Sequence, residues 1–314
     1  MDGSDEAGRR AVVIVSGGDA ISPFTTPDQA CRGGLAAGST DTALRAALLE
    51  SGFVVYTSPA HAGEGPVTVD NGFGGFREPP EQLPANLTVN SIGPIDTAGV
   101  HLASFLTYLQ AEFGIASVDL VGHSMGGLFS RSAIAELSRR GSDLRIRSLT
   151  TIGTPWQGSF PADYANGDIS LAAARAHPST AAIMIEFKKR VEAEAPGAST
   201  QVTRRYLTEA GGWNDRQAGV LHGIPVTLIG GDHFRSAGGS PDVWPHDGLV
   251  TISSALAAAV PRAVLHQSPA LTFNDVHSLF FAHEFGLPHH KALTWDPEVH
   301  HAVVAAIGSA AISG

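Results

Sequence analysis

The chain has little aromatic content, fewer basic than acidic residues, and a single cysteine. Only 7% of its 314 residues are aromatic, and Cys31 is the one cysteine, which excludes an intramolecular disulfide. Lysine and arginine number 20 against 30 acidic residues, and the formal net charge is −10. Because nucleic-acid binding needs a basic surface, this balance argues against a nucleic-acid partner.

Long apolar runs are also missing from the sequence. No run approaches the roughly 20 apolar residues of a transmembrane helix, so we expect no membrane-spanning segment. Residues 1–10 are polar and charged and lack the apolar region of a signal peptide. We expect them to form a disordered tail. The chain as it stands would be cytoplasmic, or secreted if a signal had been removed.

Six short apolar runs alternate with helical patterns along the chain. Most are continuous, which is typical of strands covered on both faces of a parallel sheet. The helical patterns include Asp41–Ser51 and Asp96–Phe113, the second followed by Gly114 as a C-terminal cap. This alternation predicts a doubly wound α/β sheet. The predicted strands are Val12–Val15, Phe53–Thr57, Val118–Val121, Leu149–Ile152, Val226–Ile229 and Ala263–His266.

The length of the chain favours one catalytic domain, residues 11–314, with an insertion. The insertion would span residues 156–219, between two predicted strands. It is either a cap over the sheet or a decoration without a catalytic role. Its apolar residues would line an acyl pocket or lid, or form a core of its own. They are Phe160, Ile183, Met184, Ile185 and Phe187.

One short motif carries the chemistry. Gly122-His123-Ser124-Met125-Gly126 follows the predicted strand Val118–Val121, and a helical pattern begins at Gly127. This is the G-x-S-x-G nucleophile elbow in a strand–turn–helix context. The tight turn exposes the hydroxyl of Ser124, and bulky side chains two residues away on either side would clash. Ser124 is therefore the predicted nucleophile.

The segment Gly122–Gly127 resembles the elbow of bacterial lipases and esterases of the α/β-hydrolase superfamily. The likeness extends from Val12 to about His277. It implies an α/β-hydrolase fold, with a six-stranded, mainly parallel core sheet, helices on both faces and an inserted cap. It also implies a serine carboxylic-ester hydrolase that acts on a small-molecule or lipid ester through an acyl-enzyme. In that family the acid follows the fifth of these strands and the histidine follows the sixth.

The resemblance also suggests the acid and the base of a Ser-His-Asp triad. Asp247-Gly248-Leu249-Val250 resembles the Asp-Gly-x-Val element that carries the acid in many lipases. Asp247 is therefore the predicted acid, and Asp232, directly after a predicted strand, is the alternative. His277 follows the last predicted strand, where the family places its base, and His283 is its rival.

The family forms its oxyanion hole from two backbone N–H groups. One belongs to the residue after the nucleophile, here Met125. The other comes from the loop after the first core strand, which reads Ser16-Gly17-Gly18-Asp19. Lipases usually have His-Gly where Ser16-Gly17 stands. The second donor would then be Gly18, with Asp19 as the alternative.

Other functions and ligands remain open at this stage. An acyltransferase would use the same triad with an alcohol acceptor, and a pseudo-hydrolase would bind without catalysis. The chemistry needs no cofactor. The histidine pairs lack the i, i+4 spacing of zinc hydrolases, so no catalytic metal is expected, and a structural calcium is left open. Contact with a lipid interface and the oligomeric state are not determined by the sequence.

Overall fold

The computed structural model of the chain describes residues 9–28, 40–67, 81–193 and 197–310. Residues 1–8 and Cys31 lie outside these ranges. Arg9 and Arg10 belong to the first strand, so the predicted disordered tail was wrong for these two residues. The Nε of Arg10 donates to Asp119 of a neighbouring strand at 2.6 Å, which gives this polar segment a place in the sheet.

Six parallel strands form the main sheet. Its order is β2-β1-β5-β6-β7-β8, and β3 and β4 form a separate parallel pair. The strands are β1 (Arg9–Val15), β2 (Val55–Thr57), β3 (Ala60–His61), β4 (Val89–Asn90), β5 (Ile115–His123), β6 (Arg145–Ile152), β7 (Val226–Gly231) and β8 (Ala270–Phe273).

Helices follow most strands, and five of them lie between β6 and β7. The helices are α1 (Thr42–Glu50), α2 (Ile95–Phe113), α3 (Gly126–Arg139), α4 (Phe160–Ala165), α5 (Pro178–Ala193), α6 (Ala198–Gln201), α7 (Arg204–Thr208), α8 (Trp213–Arg216), α9 (Ile252–Ala255), α10 (Leu279–Glu284) and α11 (Pro297–Ala310). Short 3-10 helices occur at Ala85–Leu87, Leu171–Ala174 and His289–Lys291. Within the described ranges, no helix combines the length and apolar character that a membrane crossing requires.

Strand β1 shows why the apolar runs are continuous. Val13 and Val15 belong to the cluster that α2 and α3 cover, whereas Val12 and Ile14 belong to the cluster that α1 and α11 cover. Successive side chains of a strand point to opposite faces, so a sheet with helices on both sides needs an apolar residue at every position. The predicted doubly wound sheet is confirmed.

The sixth predicted strand was wrong. Residues 263–266 form a turn, in which Val264 and Leu265 both donate their N–H groups to the carbonyl of Pro261. Val264 and Leu265 are buried because the turn packs on the core. The sixth strand is β8, an edge strand that pairs with β7 and is largely exposed, so it lacks a buried apolar run.

The helix predictions were confirmed to within a few residues. Helix α2 ends where predicted, because Gly114 takes the left-handed conformation at φ 65° and its N–H bonds back to the carbonyl of Leu109. Helix α5 is described as far as Ala193, and residues 194–196 lie outside the described ranges.

The segment between β6 and β7, predicted as an insertion, is attached to the core at both ends. The guanidinium of Arg131, on α3, lies between the indoles of Trp156 and Trp213, at 4.3 and 4.6 Å from the ring centres. Its Nη1 also donates to Asn214 at 2.9 Å. All four side chains are buried. The first and the last part of the insertion therefore pack on the helix that follows the predicted nucleophile.

Candidate active site

Ser124 lies between the end of β5 and the start of α3, in a left-handed conformation with φ 54°. Its N–H donates to Ile152 of β6 at 2.8 Å, and the hydroxyl of Thr154 donates to its carbonyl at 2.8 Å. A side chain at Gly122 would lie 2.5 Å from the backbone of Gly127, and one at Gly126 would overlap the carbonyl of Val15. The predicted elbow geometry is present, and both glycines are needed for the turn to pack.

Three side chains form a continuous hydrogen-bonded chain. The Nε2 of His277 lies 2.9 Å from the Oγ of Ser124, and its Nδ1 lies 2.7 Å from the Oδ2 of Asp247. The carboxylate only accepts hydrogen bonds, so the ring hydrogen is on Nδ1. The Nε2 lone pair is then free to accept the hydrogen of the Ser124 hydroxyl.

The carboxyl of Asp247 is held by the backbone of its own turn. Its Oδ1 accepts from the N–H groups of Leu249 and Val250 at 2.9 and 2.8 Å. The carbonyl of Asp247 accepts from the N–H of His277 at 2.8 Å. Asp247 and His277 are 0% and 2% exposed. The two loops therefore move together, and the acid has little rotational freedom.

The alternative residues lie elsewhere. Asp232 forms an ion pair with Arg235 at 2.7 Å. His283 is exposed on α10. Neither residue contacts Ser124 or His277 in the described structure. The structure thus brings together Ser124, Asp247 and His277, and it leaves the two rivals apart.

The loop after β1 packs directly against the nucleophile. A side chain at Gly17 would lie 2.5 Å from the Cβ of Ser124, and one at Gly18 would lie 3.0 Å from the sulfur of Met125. Within the described part of the chain, the N–H groups of Gly18 and Met125 have no hydrogen-bond acceptor. The alternative residue, Asp19, has φ 58° and directs its carboxylate towards Arg190.

A cavity of about 860 Å³ opens above Ser124. Helix α5 contributes Ile183 and Phe187 to its wall. Of the other apolar residues predicted in the insertion, Phe160 and Met184 are buried in the core, whereas Ile185 is 39% exposed. Some of these residues thus line the cavity and others are packed in a core, and the acyl pocket or lid stays a prediction. Further apolar lining comes from Ile21, Ile92, Val191, Val202, Leu249, Val250, Phe280, Phe281 and Phe285.

Two further residues lie against His277, and neither was among the predicted site residues. Burial, and secondly the charge of a protonated His277, lower the pKa of His123 to about 3. The neutral ring of His123 lies with its Nε2 2.9 Å from the carbonyl of His277, to which its N–H donates. Gly153 has φ 59°, and a side chain there would lie 3.2 Å from the His277 ring. A glycine directly after β6 was the one sequence signal available.

Metal ligation has no cluster to support it. Among the described residues, no group of three or more histidine, cysteine, aspartate or glutamate side chains could hold a metal ion.

Comparison with known proteins gives a family match over part of the chain and a fold over most of it. Residues 86–196 match a family described as an α/β hydrolase of unknown function, DUF915. A triacylglycerol lipase of Pseudarthrobacter phenanthrenivorans is 39% identical over 66 residues, which cover 21% of this chain and 19% of that lipase. Triacylglycerol lipase 2 of Saccharomyces cerevisiae is 52% identical over 48 residues, which cover 15% of this chain and 14% of that protein. The chain thus spans less than a fifth of the length of these relatives.

A solved structure extends the likeness over the whole fold. The mature form of a Bacillus licheniformis lipase superimposes with a TM-score of 0.50 at 15% identity, covering 90% of this chain and 91% of that one. At this identity the comparison concerns the fold alone. The parallel sheet, the serine turn between β5 and α3, and the matched family segment around that turn agree with one another. The chain has the α/β-hydrolase fold.

Proposed function

We propose that the protein is a serine hydrolase of carboxylic esters, with Ser124 as nucleophile, His277 as base and Asp247 as acid. The observation that carries this proposal is the unbroken contact from the Ser124 hydroxyl through the His277 ring to the Asp247 carboxylate, beneath an open cavity. A serine hydroxyl is a weak nucleophile by itself and is activated by such a base.

The first half of the reaction forms an acyl-enzyme. His277 takes the hydroxyl proton of Ser124 through Nε2 while the oxygen attacks the ester carbonyl. The same Nε2–H then protonates the departing alcohol. In the second half, His277 activates a water molecule, which attacks the acyl-enzyme and releases the carboxylic acid. Asp247 keeps the hydrogen on Nδ1 and stabilises the charged imidazole in both halves.

The negative charge of the tetrahedral intermediate is assigned to two backbone donors. The unpaired N–H groups of Gly18 and Met125 support this assignment, because they are free to bind an oxyanion. Met125 precedes α3, and the positive end of the helix dipole favours negative charge there. Loss of one such donor typically costs about 2.7–4 kcal/mol of transition-state stabilisation.

The cavity favours esters with an apolar acyl chain. Much of its wall is aliphatic or aromatic, with Ile183, Phe187 and Phe281 among the lining residues. Contact with such a wall removes apolar surface of the substrate from water. The relatives named as triacylglycerol lipases agree with this substrate class.

The test is a series of p-nitrophenyl esters from acetate to palmitate, with Ser124→Ala as the decisive variant. We expect wild-type turnover, and a loss of at least about 10⁵-fold in the variant, since the chemistry depends on the nucleophile. A fluorophosphonate probe should label the wild type and leave the variant unlabelled.

The matched control is Ser268→Ala. Ser268 is half-buried, donates to the carbonyl of His266 and does not line the cavity. The ester turnover and probe labelling of the Ser268→Ala variant should equal those of the wild type. An Ser124→Ala protein that still turns over ester and takes up the probe would refute the assignment. Adding a competing alcohol to the assay would separate hydrolysis from acyl transfer by the products formed.

A further inference from the structure

The carboxyl of Asp41 is buried beside the proposed oxyanion donors, and the mechanism above does not use it. Asp41 is 2% exposed and lines the cavity above Ser124. Burial, partly offset by a hydrogen bond from Ser16, raises the pKa of Asp41 to about 6. Among the described residues it has no ion-pair partner. A buried carboxylate without a cation disfavours folding, so its presence calls for an explanation.

The side chain of Asp41 turns away from its own helix. Asp41 directly precedes α1, where an aspartate side chain commonly accepts from the first N–H groups of the helix. No such bond is present. Instead, Oδ2 accepts from the hydroxyl of Ser16 at 2.5 Å. The other oxygen, Oδ1, is buried and has no hydrogen-bond partner among the described residues. The bond to Ser16 is therefore the main polar contact of this side chain in the described structure.

The contact continues to the far end of the loop after β1. We call residues 16–22 the oxyanion loop. The Oγ of Ser16 lies 2.8 Å from the Oγ of Ser22. Ser16 gives its single hydroxyl hydrogen to the ionised carboxylate, so Ser22 donates to Ser16. One carboxylate thus holds the first and the last residue of the loop.

The middle of the oxyanion loop is in contact with the nucleophile turn. Gly17 and Gly18 leave no space for a side chain against Ser124 and Met125. A second tie comes from Ser91, whose hydroxyl donates to the carbonyl of Ala20 at 2.9 Å. Because Ser16 is two residues from Gly18, a displacement of Ser16 changes the direction of the Gly18 N–H.

We propose that Asp41 is a positioning residue, which fixes the oxyanion loop through Ser16 and Ser22 so that the Gly18 N–H points at the reacting carbonyl oxygen. The inference rests on the proposed function. Asp41 itself does not touch the substrate. It acts by keeping in place a donor that the loop's backbone bonds leave unpaired.

The first experiment measures kcat and KM with p-nitrophenyl butyrate for Asp41→Ala, Asp41→Asn and Ser16→Ala. We expect Asp41→Ala to lower kcat by about 30- to 100-fold with KM within about twofold, because a misplaced donor weakens binding of the transition state more than binding of the ester. Asp41→Asn keeps an acceptor for Ser16 and should lose no more than about tenfold.

Asp163→Asn is the matched control. Asp163 is a second buried carboxyl whose pKa burial raises to about 6, and it accepts from the N–H of Arg204 in the insertion. Its replacement removes a buried carboxylate without touching the oxyanion loop, so kcat should stay within about twofold of the wild type. A kcat for Asp41→Ala within twofold of the wild type, or an equal loss in Asp163→Asn, would overturn the inference.

The second experiment does not depend on activity. Hydrogen–deuterium exchange is compared for peptides spanning residues 16–25, in which the N–H of Ser22 donates to Ala60 at 2.9 Å. Exchange there should be at least about tenfold faster in Asp41→Ala and Ser16→Ala, and unchanged in Asp163→Asn. Equal exchange rates in all variants would refute the inference that Asp41 fixes the oxyanion loop. A wild type without ester turnover or probe labelling would instead refute the proposed function.

Discussion

The two sides of Ser124 are built in different ways. On the histidine side, backbone hydrogen bonds fix the arrangement. Two backbone N–H groups bind the Asp247 carboxylate, and the N–H of His277 donates to the carbonyl of Asp247 at 2.8 Å. On the oxyanion side, side-chain contacts from Asp41 and Ser91 hold a loop that retains an unpaired N–H. The first side is complete without substrate. In the proposed mechanism, the second becomes fully hydrogen-bonded only when an oxyanion forms.

The difference separates two requirements of catalysis. A base must have the correct tautomer and position before the reaction begins. An oxyanion donor must instead remain unpaired in the ground state, since its bond is useful only in the transition state. Such a donor cannot be fixed by its own hydrogen bond, so it has to be fixed by its neighbours.

The largest expected effect is on the histidine side. Asp247→Asn should lower kcat by about 10⁴-fold, because an amide facing Nδ1 favours the wrong tautomer and does not stabilise the charged ring. Asp232→Asn is the matched control, since Asp232 is bound to Arg235 and lies away from His277. Steady-state kinetics on one p-nitrophenyl ester would measure both. A larger loss in Asp232→Asn would exchange the two assignments.

A smaller effect should appear in stability on the oxyanion side. With its pKa raised from 3.8 to about 6, Asp41 binds its proton more tightly in the folded state. Its contribution to the free energy of unfolding therefore falls as pH rises from about 4 to 6 and stays low above that range. Asp41→Asn removes this dependence, so its stability relative to the wild type should increase by up to about 3 kcal/mol between pH 4 and pH 7.5.

Urea unfolding of both proteins at the two pH values would measure this difference. The other titratable groups of the same cavity remain in both proteins and cancel. They are Asp19, His123, Glu186, Arg190, His277 and Glu284. The guanidinium of Arg45, on helix α1, donates to the hydroxyl of Thr25 and to the carbonyl of Thr26. If the difference in unfolding free energy between the two proteins is the same at both pH values, burial does not raise the pKa of Asp41 in the folded protein.

The smallest effect is expected at the cavity mouth. The Nη1 of Arg190 lies 3.4 Å from the Asp19 carboxylate, and the two side chains are 51% and 57% exposed. Exposed ion pairs are weak and screened by salt. Arg190→Ala should change kcat/KM by less than about threefold, and the change should diminish in 0.5 M NaCl. Arg216→Ala, on another surface, is the control. A loss of tenfold or more would show that the oxyanion loop depends on α5.

Sequence patterns located the parts of the molecule where local chemistry determines structure. The glycines around Ser124 and the Asp247-Gly248 turn are needed for backbone reasons, so their spacing is visible in the sequence, and the buried strands appear as apolar runs. The residues predicted as Ser124, Asp247 and His277 lie in one hydrogen-bonded chain, and their catalytic roles stay a prediction.

Two features could not be read from the sequence. Strand β8 is an exposed edge strand without a buried apolar run. The buried turn at Val264 and Leu265 has an apolar run of the kind that is typical of a buried strand. Asp41 resembles an ordinary residue at a helix start, and its partner Ser16 is 25 residues away along the chain. Long-range pairing of this kind depends on the folded arrangement and leaves no local pattern.

The stacking of Arg131 between two tryptophans limits how residues 156–219 can move. Trp156 and Trp213 join the first and the last part of this segment to α3. An outward rotation of the segment about its two ends would therefore break both stacking contacts and expose three buried side chains to water. In helix α5, by contrast, only Thr180, Ile183 and Met184 are buried among 16 residues. A displacement confined to α5 would thus expose less buried surface than a rotation of the whole segment.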